Sequence, residues 1–296
     1  MSIDLPGAVA FMAGHARTLD RRRLELLLGR GEPGAVLAAL EGYRNPDGGY
    51  GWGLEPDLRA PESQPAGALH AFEAIGDAGP PATPRSVELC DWLASATLPD
   101  GGLAFALPVA DDAALAPFWA HADPAVSSLQ ITAYVAAAAQ RVAAWDAAVA
   151  AHAWLARATR YCIDAIATLG DAPHALAINA SVQLLDAVHD TQPEAPALLA
   201  RLGELIPADG RLPVAGGAPD ESLRPLDLAP LPGRPARALF DAGVVERDLE
   251  RLAAEQQQDG GWRVDFASHS PAAALEWRGY ATVRAIAVLI AAGGHT

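Results

Sequence analysis

The sequence contains no lysine: all 21 of its basic residues are arginine. That absence excludes Schiff-base chemistry, a phosphate-loop lysine and the lysine of kinase sites. Cysteine is nearly as scarce. Cys90 and Cys162 lie far apart in helical patterns, so neither a disulfide framework nor a zinc knuckle is expected. Both read as small core hydrophobes of a reduced, cytoplasmic protein. Positive charge is short as well: 36 acidic residues give a net charge of −15, which excludes a nucleic-acid partner, because a phosphate backbone requires clustered positive charge. No metal motif is present, whether a His-x-x-x-His pair, paired cysteines or a calcium loop. The alanine-rich run from Val135 to Ala158 is interrupted by Gln140, Arg141, Asp146, His152 and Arg157, so no transmembrane segment is expected. The start, "MSIDLPGAVAFMAGHARTLDRRRL", places Asp4 before a short apolar run, and no export signal is read there. Gly29-x-Gly31-x-x-Gly34 follows a leucine-rich helix and contains Pro33, which makes it a helix–helix connection and not a dinucleotide fingerprint.

What the chain does have is a recurring glycine turn. The stretch "YRNPDGGYGWGLEPDLRAPESQPAGALHAF" runs from Tyr43 to Phe72, and weaker copies begin at Leu98 ("LPDGGLAFALPVADD"), Ile206 ("IPADGRLPVAGGAPD") and Gln256 ("QQQDGGWRVDFASHSP"). Their aspartates, Asp47, Asp100, Asp209 and Asp259, are 53, 109 and 50 residues apart. The spacing predicts a repeat of about fifty residues with one degenerate turn near residue 155. In each turn the aspartate closes the loop, glycine accepts positive φ, and the following aromatic packs back on the preceding helix.

Between the turns, two kinds of helix alternate. After Ala242, residues Val245, Leu249, Leu252 and Ala253 make one apolar stripe, and Thr83-Pro84 starts another one-sided helix carrying Val87, Cys90 and Leu93. By contrast, "ALAINASVQLLDAV" from Ala175 and "GYATVRAIAVLIAA" from Gly279 are apolar nearly all round and read as buried. No strand ladder is legible. The fold expected is all-α: an α/α-toroid of about five to six helical hairpins in two concentric layers. It forms a single domain over 1–296, with repeats over about 34–292 and an N-terminal helical segment over 1–33.

Gln257, Gly260 and Trp262 match the "QW" pattern of a glutamine followed by Gly-x-Trp. On these residues and the repeated turns, the region from about 34 to 292 resembles the prenyltransferase and squalene-oxidase repeat family, the fold of terpenoid cyclases and protein prenyltransferase β-subunits. The resemblance implies an isoprenoid-handling enzyme. Where proton-initiated cyclases have Asp-x-Asp-Asp, this chain has Val109-Ala110-Asp111-Asp112, and neither cysteine lies among the zinc partners that protein prenyltransferases use.

Function is expected in the loops between each glycine turn and the next buried helix, gathered at one end above helix N-termini. They hold Trp52, Glu55, Asp57 and Arg59; Asp111, Asp112, Trp119, His121 and Asp123; Arg224 and Asp227; and Asp265, His269, Glu276, Trp277 and Arg278. Asp57 is the leading acid, with Asp265 and Glu55 as further catalytic candidates. Trp52, Arg59, Trp119, His121, Asp123, His269, Glu276, Trp277 and Arg278 are candidates for contacting substrate. As the proton donor, Asp57 would pack against Trp52 with Arg59 turned toward Glu55; as a structural residue it would pair with Arg59. Three functions stand open. The first is acid-initiated cyclisation or isomerisation of an apolar polyene. The second is a non-catalytic toroid that binds an apolar ligand or a protein partner. The third is glycan cleavage by paired carboxylates. No cofactor is expected, with magnesium entering only alongside a diphosphate substrate.

Overall fold

The structure, a computed structural model, describes residues 3–293; the few residues at either end of the expected 1–296 domain lie outside the described residues. The chain begins with α1 (Leu5–His15), α2 (Thr18–Leu27) and α3 (Pro33–Leu40), followed by the first glycine turn. After it come α4 (Pro65–Ala78) and α5 (Pro84–Ala96), then a long loop containing the single-turn α6 (Pro117–Ala120). Next are α7 (Leu129–Ala143), the short α8 (Ala147–Ala150), α9 (Ala153–Ala167), α10 (Ala175–Val188) and α11 (Ala195–Gly203). Strands β1 (Leu212–Pro213) and β2 (Ser222–Leu223) pair antiparallel before α12 (Pro225–Leu228), α13 (Ala242–Ala254) and α14 (Pro271–Ala291). This one small ladder was not foreseen; the fold is all-α.

Burial separates the helices as their sequences require. Helices α4, α7 and α10 bury residues around most of their circumference. Helix α9 buries one stripe, Trp154, Leu155, Ala158, Cys162 and Ile166, and α13 buries Val244, Val245 and Leu249. Packing runs from α2 to α4, α7, α10, α12, α13 and α14, and α14 returns to α2. Residues 1–33, expected as a segment preceding the repeats, therefore supply the helices that join the chain's end to its beginning: α1 and α2 both pack on α14. Gly279 permits this approach, because a Cβ there would stand 3.0 Å from that of Ala16.

The glycine turns share one construction. A carboxylate oxygen of Asp47, Asp100, Asp209 or Asp259 accepts the N–H two residues on, at 2.9, 3.1, 3.0 and 3.2 Å. The intervening Gly48, Gly101, Gly210 and Gly260 have φ of 90°, 101°, 75° and 92°, a left-handed conformation that glycine adopts without steric penalty. Behind the last turn, Trp262 is buried and its Nε1 donates to the Leu252 carbonyl of α13 at 2.7 Å, so the aromatic does pack back on the preceding helix. Leu103 and Trp262 then donate their N–H groups to Thr132 and Thr282, at 2.8 and 3.0 Å, fixing α7 and α14 in the same register.

That register exposes two corrections. The degenerate turn expected near residue 155 falls inside α9, and the actual turn lies between α9 and α10, where no Asp-Gly step marks it. Ser63 stands one residue before the cap position of α4, Gln64, and its Oγ donates to Asp47 at 2.8 Å. The helix expected from Gly279 begins at Pro271. Through the threonines, Gly279 corresponds to Leu129, the first residue of α7, so α14 overruns its repeat position by about two turns, roughly 12 Å. Ser270, accepting from Ala273 N–H at 3.1 Å, and Pro271 at the first helical position start the helix early.

Candidate active site

The overrun of α14 brings three loops together. The Asp57 carbonyl accepts Ala116 N–H at 2.9 Å, and Leu58 bridges Leu115, which ties the loop after the first turn to the loop after the second. Gln64 clamps the same contact: its Oε1 takes Leu107 N–H at 2.8 Å and its Nε2 donates to the Leu107 carbonyl at 3.1 Å. His269 N–H from the last loop and Trp277 Nε1 from α14 donate to the two carboxylate oxygens of Asp57, at 2.8 and 2.7 Å. Arg59 pairs with Glu276 at 2.6 Å. Glu55, Asp57, Arg59, His269, Glu276 and Trp277 are thus neighbours.

Their roles differ from the expected ones. Asp57 is 3% exposed with both oxygens engaged, so it latches the loops to α14 and offers no free oxygen to a substrate. Arg59 turns to Glu276, and pairs with neither Asp57 nor Glu55. Trp52 is 58% exposed, with its Nε1 donating to Asn45, and provides no wall for Asp57.

Beneath the latch lies a chain of groups that the loops only partly supply. His70 of α4 is buried between two carboxylates: Nε2 is 2.9 Å from Glu55 and Nδ1 is 2.9 Å from Glu73. Burial alone would lower the imidazole pKa; the two carboxylate hydrogen bonds outweigh it and push the pKa up to about 9. At neutral pH the ring is therefore an imidazolium donating from both nitrogens. Glu73, whose burial works the other way, is brought down to about 2 by His70, then by the Arg23 charge and the Tyr280 hydroxyl, which donates to it at 3.0 Å. Trp277 and Tyr280 present edges to the His70 ring at 5.9 and 5.3 Å, and Phe266 meets Trp277 at 5.1 Å.

Glu73 is also where the other helices converge. Its charge acts on Arg23 of α2, Tyr134 and Arg141 of α7, and Tyr280 and Arg284 of α14. Arg23 reaches Asp77 at 2.6 Å and lies 5.6 Å from the Tyr280 ring centre. Arg284 approaches Asp227 at 3.6 Å, and burial raises the Asp227 pKa. Tyr134 lies against Asn179, to which Gln183 donates at 3.2 Å. These groups are surrounded by charges from several helices, yet the side chains of Glu73 and Arg284 remain 20% and 38% exposed, so the space between the helices is open to water.

The remaining candidates lie elsewhere. Arg278 bonds Asp259 at 2.7 Å and sits over Phe11, which makes it part of the last glycine turn. Trp119 is buried and stacked on Phe105 at 4.4 Å, while His121, Asp123 and Asp265 are exposed. Asp111 is exposed and accepts Ala113 N–H at 3.0 Å, alongside the exposed Asp112; Asp227 accepts Arg224 N–H at 2.9 Å at the start of α12. His70, Glu73, Arg23, Tyr280, Arg141 and Arg284 were not singled out from the sequence. The signal available was a charge or imidazole inside the largely apolar α4, α7 and α14; α2 is charged along its length and offers no such signal for Arg23. Among the described residues no group of three or more His, Cys, Asp or Glu is placed to hold a metal ion, and no helix is long and apolar enough to cross a membrane. In comparisons with known proteins, the chain matches no family model and no curated protein.

Proposed function

We propose that the chain is an α/α-toroid enzyme that performs acid–base chemistry on a small oxygen-rich molecule held in its lumen, with His70 as the proton donor. The toroid reading is supported by the cyclic order of helix contacts and by the alternation of all-round and one-sided burial. The observation that carries the chemistry is the imidazole gripped by Glu55 and Glu73 beside a water-open interior. In the free protein that grip holds the proton too firmly for efficient transfer at neutral pH. A substrate oxygen that replaces one carboxylate at a ring nitrogen removes one of the interactions raising the pKa and brings it toward neutrality, where a general acid works best. Tyr134, Asn179 and Gln183 offer hydrogen bonds to substrate hydroxyls. This is nearest to the glycan alternative among the three expected functions.

An isoprenoid-handling enzyme is the second reading, favoured by the aromatic edges of Phe266, Trp277 and Tyr280, which suit a carbocation. Arg23, Arg141 and Arg284 oppose it, because guanidinium groups facing the same space repel a positive centre. The proposal involves no resident cofactor, and magnesium enters only with a diphosphate substrate under the second reading. The cytoplasm is proposed as the compartment on the strength of the free, buried Cys90 and Cys162. The test is mass spectrometry of small molecules extracted from the purified protein. An oxygen-rich ligand that is lost in His70→Gln is the result expected, and a bound polyene would replace this reading with the second.

A further inference from the structure

We infer that the substrate carries a carboxylate and that Arg141 of α7, with Arg284 of α14 beside it, receives that group; this rests on the reading of the lumen as a site for an oxygen-rich molecule. The other cations bordering this interior have acidic partners. Arg17 holds Asp20 at 2.8 Å, Arg23 holds Asp77 at 2.6 Å, and His70 lies between Glu55 and Glu73. Arg141 makes no hydrogen bond or ion pair among the described residues. The charges acting on it come from three other helices, Glu73 of α4, Asp186 of α10, and Tyr280 and Arg284 of α14. Arg141 is exposed and lies two turns along α7 from Tyr134, on the stripe that packing against α4, α9 and α10 leaves unburied, so it faces the water-open space between the helices. Asp186 is not its partner, because its carboxylate takes the Arg234 guanidinium at 3.1 Å and Ala236 N–H at 2.8 Å. Although Arg141 is open to water, the protein surrounding it displaces part of its solvent and lowers its pKa, the direction expected for a cation lacking an adjacent anion. Arg284 is only loosely held by Asp227, at 3.6 Å from the carboxylate and 3.2 Å from the backbone carbonyl, and keeps donors to spare.

The class of anion follows from the neighbours. A planar guanidinium takes a carboxylate through two parallel N–H bonds. Glu73 and Asp227 border the same space and would repel a multiply charged phosphate, whereas a single negative charge balances the unpaired Arg141. Together with the amides of Asn179 and Gln183, this describes a hydroxylated carboxylic acid.

The experiment is isothermal titration of the full chain with D-glucuronate, D-glucose and orthophosphate, on wild type, Arg141→Gln and His70→Gln. The expected result is that glucuronate binds wild type more tightly than glucose, and that Arg141→Gln weakens glucuronate ~10- to 100-fold while leaving the melting temperature unchanged. If Arg141→Gln fails to fold, Arg141→Lys, which keeps the charge and loses the planar fork, is expected to weaken glucuronate about 10-fold. Glucose binding as tightly as glucuronate, both weakened by His70→Gln and neither by Arg141→Gln, overturns the carboxylate inference and leaves the proposed function standing. Orthophosphate binding tighter than glucuronate in an Arg141-dependent way overturns the carboxylate as the class. Failure of both sugars to bind wild type overturns the inference and the proposed function together.

Discussion

Replacing His70 with glutamine removes the cation between Glu55 and Glu73 and leaves two carboxylates, one buried and one half-buried, sharing a neutral amide. The size of the effect follows from the imidazole's displacement. Raising its pKa from 6.5 in the unfolded chain to about 9 in the folded one corresponds to on the order of 3 kcal/mol, at about 1.4 kcal/mol per pH unit. The sign is that of a raised pKa. The folded state binds the proton more tightly, so the stabilisation is complete below about pH 6.5 and is lost as pH rises through about 9. Glu73, held down at about 2, adds stability above its ordinary range that is lost only as pH falls toward 2, outside that window. Thermal melts of wild type and His70→Gln, followed by far-ultraviolet circular dichroism from pH 5.5 to 10, report the difference directly. Wild type is expected to melt roughly 5–10 °C higher at pH 6, with the gap closing by pH 10. A gap constant across the range would refute the reasoning, since the interaction would then owe nothing to the imidazolium.

Asp57→Asn places an amide NH2 against a donor, either His269 N–H or Trp277 Nε1, and should cost about 1–3 kcal/mol, with faster amide exchange around residues 51–60 and 265–270; unchanged exchange would remove Asp57 as a latch. Trp262→Ala, at a side chain 2% exposed, should cost about 3–5 kcal/mol by chemical denaturation, whereas the exposed Trp52→Ala should stay within ~0.5 kcal/mol. Cys90, whose thiol burial pushes up to about 12, should resist iodoacetamide in the native protein and react only after unfolding.

Much of the fold is legible in the sequence because its signals are local. An Asp-Gly step fixes a turn through atoms two residues apart, and an apolar stripe or its absence marks a helix's surroundings. The turn between α9 and α10 is not legible because it lacks that step. The loop half of the site is legible too: Glu55, Asp57, Arg59, His269, Glu276 and Trp277 do meet. Their pairing is not legible, since the choice of Arg59 for Glu276 spans 217 residues and depends on α14 starting early. The helical half was hidden by averaging. A single His70 or Arg284 barely changes how apolar its helix reads, yet a polar group in a largely buried helix needs partners, and Glu55 for His70 and Asp227 for Arg284 lie outside that helix, with only Glu73 three residues along the same one as His70.

The account depends most on the protonation state of His70. Nitrogen-15 chemical shifts of its imidazole ring, assigned by comparison with His70→Gln and followed through a pH titration, read that state directly. Both nitrogens should be protonated at pH 7.5, with a single deprotonation near pH 9. A neutral ring at pH 7.5 would contradict the account.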